Sequence, residues 1–245
     1  MLVYHALLEQ RETQQTSITK NWTMPQELKD NIAMFTYSVL MSALIPTYRN
    51  IVIPTIIDLL KYHGLLPEGL ALASMKKIRK SISTSATNYR SFMKKKVILS
   101  IKKKWHVSKL ATKLLASAPD LKVTSALLTR LAFIRFQYVN APDDTARGKI
   151  FWPRVSDKLK ELSSSTNDPV VLSDILKDYL DSDEAIYTVG ASKKPKLAGP
   201  GDLTDMQKRI DRSAEAIVVV AVQDDDDDEG EGEEEAAAGD DEDED

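Results

Sequence analysis

The chain has 245 residues, 42% of them apolar and 29% charged, with no cysteine. That composition suits a soluble folded protein, and the missing thiol excludes disulfides, zinc–thiolate sites and thiol catalysis. The formal net charge of -4 hides an uneven layout: residues 224–245 hold sixteen Asp or Glu, so residues 1–223 carry 33 Lys or Arg against 21 Asp or Glu, a formal +12. A basic body joined to an acidic tail points to polyanion binding rather than to catalysis.

Residues 1–22 are polar and rich in Gln and Thr, which predicts a flexible N-terminus. The opening MLVYHALLEQRETQQ has a short apolar stretch with no basic flank before it and does not match a secretory signal. Asn21-Trp22-Thr23 fits the glycosylation sequon, but without such a signal it is read as unmodified. Thr23 is placed to cap a helix, with Pro25 in its first turn, and Leu28, Ile32, Phe35, Val39 and Ala43 recur at helical spacing. The apolar stretch from Ile32 to Ile45 is too short to span a bilayer and predicts a buried helix. A second helix runs from Ile51 to Tyr62; Pro54 either starts or kinks it, Gly64 caps its end and Pro67 stops it.

The basic tract comes next. Between Glu68 and Asp120 there are thirteen Lys or Arg and no acid. They are Lys76, Lys77, Arg79, Lys80, Arg90, Lys94, Lys95, Lys96, Lys102, Lys103, Lys104, Lys109 and Lys113. Met75, Ile78, Ile82, Tyr89, Met93, Val97, Ile101 and Trp105 form an apolar stripe through the same stretch. Its centre, Ser81 to Asn88, has poor helix propensity, which predicts two helices or one long helix with a weak middle.

Ser108 is placed to cap a short helix holding Leu110, Leu114 and Leu115, and Thr124 to cap one holding Leu127, Leu128, Leu131, Ile134, Arg135 and Tyr138. Asn140 to Gly148 reads as a loop. Phe151, Trp152, Val155, Leu159 and Leu162 outline a further amphipathic helix with Pro153 in its first turn. Asp168, with Pro169 directly after it, is placed to cap another, with Val171, Leu172, Ile175, Leu176, Tyr179 and Leu180 on its apolar face. No strand alternation of any length occurs up to Tyr187.

The expected fold is all-α: a single multi-helix globular domain of six to eight helices with a disordered acidic C-terminal tail. The expected divisions are a flexible N-terminus at 1–22, the helical domain at 23–187 including the basic tract 76–113, a linker at 188–202, an ambiguous helix or strand at 203–223 and the tail at 224–245.

Motifs for chemistry are scarce. Of the three histidines, His63 and His106 lack a second His or carboxylate at helical metal-site spacing and His5 has Glu9 alone, one ligand pair short of a site, so no metal site and no cofactor is expected. His63, beside Gly64, is read as stabilising a helix C-terminus. No phosphate-binding glycine loop and no nucleophile elbow occurs, and no catalytic residue is assigned. Asp143-Asp144 is read as a solvated turn before a helix.

Lys76 and Lys80 share one helical face, as do Lys95 and Lys102. Eleven Lys against two Arg suits contact with backbone phosphates rather than base reading. A generic solvated face mixes signs, whereas this tract does not. Tyr89 and Trp105 lie on the apolar stripe and are read as core residues rather than base-stacking ones. Lys193, Lys194 and Lys196, in the expected linker, match a nuclear-import pattern.

The segment SMKKIRKSISTSATNYRSFMKKKVILSIKKK, from Ser74 to Lys104, resembles a basic segment of expanded families of uncharacterised proteins from mushroom-forming fungi. LAFIRFQYVN, from Leu131 to Asn140, and FWPRVSDKLKEL, from Phe151 to Leu162, are similar to the segment on the C-terminal side of it in those families, so the resemblance covers about residues 74–187. It implies a eukaryotic, non-secreted, helical protein and transfers no functional residue. The expected function is non-enzymatic binding of DNA or RNA backbone in the nucleus, with the tail competing for the same lysines. The alternatives are a cytoplasmic location and a helical interaction module that binds histones or other basic proteins through the tail. No membrane partner is expected.

Overall fold

The longest helical pattern of the sequence becomes the longest helix of the fold. In the computed structural model the described residues are 22–67, 69–116, 118, 120–166, 169–188 and 196–218. They form α1 (Gln26–Leu40), α2 (Val52–Tyr62), α3 (Leu72–Lys102), α4 (Val107–Leu115), α5 (Ser125–Val139), α6 (Asp144–Arg147), α7 (Phe151–Ser165), α8 (Pro169–Ile186), a 3-10 turn at Pro200–Asp202 and α9 (Asp205–Val218). There is no strand among them, and the body is all-α. The expected flexible N-terminus and acidic tail lie outside the described residues, apart from Trp22.

The Ser- and Thr-rich centre of the basic tract does not break the helix. α3 runs unbroken for 31 residues through the Ser- and Thr-rich centre. Six residues of that centre, Ser81, Ser83, Thr84, Ser85, Thr87 and Asn88, are each worse than Ala in a helix by ~0.5 kcal/mol, about 3 kcal/mol together. Burial outweighs them: Ile78, Ile82 and Val97 are fully buried, along with Met93, and each such side chain contributes ~1.5–3 kcal/mol. Ser74, Ala86 and Ser100 share the buried stripe. Their small side chains let α1, α2, α4 and α5 pack closely along α3.

α5 is the inner helix. It packs against α3, α4, α7 and α8, and its buried residues run around the whole circumference from Leu127 to Ile134, including Thr129, Arg130, Ala132 and Phe133. The structure thus encloses this stretch of the helix rather than burying one face of it. α9 closes the far side by packing on α1 and α2, with Ile210 buried. The stretch ambiguous between helix and strand is helical as far as Val218.

Several helix ends obey the local chemistry. Thr124 caps α5 by accepting from Leu127 N–H at 3.1 Å. Pro54 sits in the first turn of α2, where its missing N–H is unneeded. Gly64 takes φ +65 beyond the end of α2, with Gly64 N–H on Lys61 O and Leu65 N–H on Leu60 O. Others depart from it. α1 begins after Pro25 with no side-chain cap from Thr23. α4 is capped by His106, not Ser108: the imidazole Nδ1 accepts from Ser108 N–H at 3.2 Å. Asp168 lies outside the described residues, and α8 begins at Pro169.

The stretch read as a linker is described only in part. Residues 196–199 run alongside the α4–α5 connection, where Ala198 N–H donates to Val123 O at 2.9 Å. Gln207 and Thr204 hold the start of α9 to the same connection through Lys122 N–H at 3.1 Å and Asp120 O at 2.8 Å.

Candidate nucleic-acid interface

All thirteen cations fall on α3, α4 or the turn between them. Eight of them, Lys76, Arg79, Lys80, Lys95, Lys102, Lys103, Lys104 and Lys113, are exposed and make no side-chain hydrogen bond, ion pair or ring contact with another described residue. The other five are engaged. Lys77 Nζ, though exposed, donates to Trp22 O at 2.8 Å. Arg90 donates to Tyr48 O at 3.0 Å and Lys94 to Gly148 O at 2.9 Å, and both are half-buried. Lys96 lies over the Phe92 ring at 5.4 Å and Lys109 over Trp105 at 5.0 Å. Arg90 and Lys94 therefore tie α3 to the loops before α2 and before α7.

Helical geometry arranges the free cations. The exposed half of α3 carries Lys76, Arg79 and Lys80 near one end and Lys95 and Lys102 near the other. Between them the exposed residues are Ser83, Thr84, Thr87, Asn88 and Ser91, all short and uncharged. At 1.5 Å per residue the two groups are separated by ~22 Å, from Lys80 to Lys95.

The turn after α3 adds Lys103 and Lys104. Lys104 N–H bonds Ile101 O and Trp105 N–H bonds Ser100 O, the same pattern that ends α2. Here the left-handed position, φ +50, is held by Lys104 rather than Gly. Lys104 is the one non-glycine with positive φ among the described residues. Of the two aromatics on the stripe, Tyr89 packs against the core on Tyr37 with centroids 4.7 Å apart, while Trp105 is half-buried beneath Lys109.

Behind this surface lies a buried polar cluster that local sequence did not signal. Arg135 on α5 is 1% exposed and pairs with Asp183 of α8 at 3.2 Å. It also donates to Trp105 O at 2.9 Å and stacks on Tyr187 at 3.8 Å. Burial raises the Asp183 carboxyl to about 6; Arg135 opposes that shift and Glu184 adds to it. Burial likewise lowers the Arg135 guanidinium, against the pull of Asp183 and Tyr187. His106 Nε2 lies 3.3 Å from Glu184 Oε1. Together these groups hold α8 against the corner where α3 meets α4.

Arg130, also buried, donates to Ala43 O, and burial lowers its guanidinium while neighbouring Tyr48 opposes the shift. Tyr48 and Tyr37 are both pushed up by burial, and the Tyr37 hydroxyl donates to Leu114 O.

His63 stacks on Phe35 at 5.3 Å. Asp143 caps α6 by accepting from Ala146 N–H at 2.6 Å, so the stretch from Asn140 to Gly148, read as a loop, holds a one-turn helix that begins at Asp144. Lys196 is exposed, while Lys193 and Lys194 lie outside the described residues. Among the described residues no group of three His, Asp or Glu is arranged to hold a metal ion, and no helix is long and apolar enough to cross a membrane. The chain matches no protein-family model, no curated protein and no solved structure.

Proposed function

We propose that this is a non-enzymatic nuclear protein that binds the phosphate backbone of nucleic acid through the Lys-rich α3–α4 surface, and that its acidic tail competes for the same lysines. The observation that carries the reading is the set of eight exposed cations, without a partner among the described residues, in a stretch of 51 residues without one acid. Cations arranged this way release counterions when they meet a polyanion. Lys presents a point charge that tracks a backbone and discriminates poorly among bases.

The tail adds sixteen carboxylates to the same chain. On a tether of this length the tail reaches an effective concentration in the millimolar range. Nucleic acid must displace it. The Lys193, Lys194 and Lys196 pattern supports import into the nucleus.

Equilibrium binding of the full chain and of the chain lacking residues 224–245 to duplex DNA, RNA and histones tests the proposal. Affinity for nucleic acid should fall steeply with salt and vary little with sequence. Tail deletion should raise it, most at low salt, because screening already weakens the competition at ~0.15 M. Loss of histone binding on tail deletion, with weak nucleic-acid binding throughout, would instead establish the histone-type module. A fluorescent fusion should be nuclear, and Lys193→Ala with Lys194→Ala should move it toward the cytoplasm. A cytoplasmic wild-type fusion removes the nuclear part of the reading.

A further inference from the structure

We propose that the polyanion is B-form duplex DNA and that α3 lies across its major groove, with each cationic end on a different phosphate strand. This rests on the nucleic-acid reading above and adds the form of the ligand. Three features of α3 converge on it.

The first is rigidity. α3 is a single helix of 31 residues backed along one stripe by buried side chains from Ser74 to Ser100. It spans ~45 Å and keeps its cations at fixed separations. A flexible single strand gains nothing from fixed separations, whereas a rigid duplex does.

The second is spacing. Lys76 and Lys80 are separated from Lys95 and Lys102 by the uncharged exposed stretch, ~22 Å long from Lys80 to Lys95. The major groove is ~12 Å wide and is bounded on both sides by phosphates. A helix inclined to the groove by about 30° takes ~22 Å of its length to cross that ~12 Å, and so meets phosphate at two places with a phosphate-free gap between. Charge placed at both ends and withheld from the middle matches that pattern. A continuous backbone track would favour cations throughout.

The third is shape. The exposed middle, Ser83, Thr84, Thr87, Asn88 and Ser91, presents only short side chains. Arg90, within this stretch, and Lys94, just after it, are half-buried on bonds to Tyr48 O and Gly148 O. A helix of ~10–12 Å diameter then enters a groove of that width. Hydroxyl and amide groups face the base edges, and Asn88 is the side chain there that carries its donor and acceptor on separate atoms, as a bidentate base contact needs. A-form RNA has a narrow, deep major groove that refuses a helix.

The test compares three probes at low salt with the full chain: a DNA duplex of about two helical turns, one of its strands alone, and an RNA duplex of the same sequence. The DNA duplex should bind roughly tenfold tighter than either competitor. Dimethyl sulfate methylation of guanine N7, a major-groove atom, should be blocked at the bound site. Lys76→Gln with Lys80→Gln, and separately Lys95→Gln with Lys102→Gln, should each lower the log–log salt slope by about 2 and abolish the duplex preference. Circular dichroism of these surface variants should match wild type.

Equal or tighter binding to the single strand or to the RNA duplex overturns this inference and leaves the broader reading standing. So does duplex binding with unprotected N7. Binding to none of the three probes removes the broader reading as well.

Discussion

α3 and α5 both carry cations, and they treat them in opposite ways. α3 displays Lys on a face that no described acid approaches, while α5 buries Arg130 and Arg135 among apolar side chains. The difference originates in the head groups. An ammonium is compact and strongly hydrated, and a flexible stem keeps it in water. A planar guanidinium is more weakly hydrated and can meet several fixed acceptors at once. Arg135 meets Asp183, Trp105 O and the Tyr187 ring together. The cations of α5 therefore hold the fold, whereas the side chains of Lys76, Arg79, Lys80, Lys95 and Lys102 of α3 bond to no other described residue.

The largest effect should come from breaking the buried pair. Asp183→Leu leaves Arg135 charged without its counter-ion and should cost about 3–5 kcal/mol in denaturant unfolding. Arg135→Met should cost less, because Asp183 can then take up a proton. The double variant should recover much of the loss, since two apolar groups replace two buried charges. A double variant no better than Asp183→Leu alone would falsify the view that the pair acts as a unit.

A pH series sharpens the same point. The Asp183 carboxyl titrates at about 6 in the fold against 3.8 for its ordinary value. Its protonated form is thus favoured by folding. That contribution is present in full below pH 4 and is lost as pH rises through about 6, a change of about 3 kcal/mol at most. Thermal unfolding of wild type and Asp183→Asn between pH 4 and 7 should show this falling component in the first and not in the second. A parallel pH dependence in both assigns the slope elsewhere.

The two helix ends that share one motif allow a comparison within the basic region itself. α2 ends with Gly64 at φ +65 and α3 ends with Lys104 at φ +50. The left-handed position disfavours a Cβ by ~1 kcal/mol or more. Lys104→Gly should therefore stabilise the fold by about 1 kcal/mol, and Gly64→Ala should destabilise it by a similar amount. No atom lies within 4 Å of a Cβ built on Gly64, so that cost is conformational rather than steric. If Lys104→Gly is stabilising and also weakens nucleic-acid binding, Lys104 is held in a strained place by its role on the surface.

The smallest effects separate neighbours in one Lys triplet. Lys95→Gln removes an exposed, unpartnered cation and should change stability by less than ~0.5 kcal/mol. Lys94→Gln removes the bond to Gly148 O and should cost ~1 kcal/mol. In binding the order should reverse, with Lys95 mattering more. Equal effects of the two on both readouts would erase the distinction between structural and free cations.

Much of this was legible locally. The spacing of Leu28, Ile32 and Phe35 places α1, Thr124 caps α5, and Gly64 ends α2, because each rests on contacts within a turn or two. The acid-free basic tract is a property of composition and needed no structure. Two cap assignments, Thr23 and Ser108, were displaced by neighbours with better geometry. Pro25 fixes the chain before α1, and the His106 ring reaches the N–H that a Ser108 cap leaves to others.

What the sequence by itself determined is the helical class and the position of its charges, since helical periodicity, caps and charge runs act over a few residues. Only the tertiary structure decided that α3 would be continuous, because Ile78, Ile82, Met93 and Val97 gain more by burial than the Ser and Thr centre loses by propensity. Only it decided which cations remain free. Arg90, Lys94 and Arg135 find partners at Tyr48, Gly148 and Asp183, 42, 54 and 48 residues away. Such pairings depend on how helices meet, and no local pattern of charge or spacing encodes them.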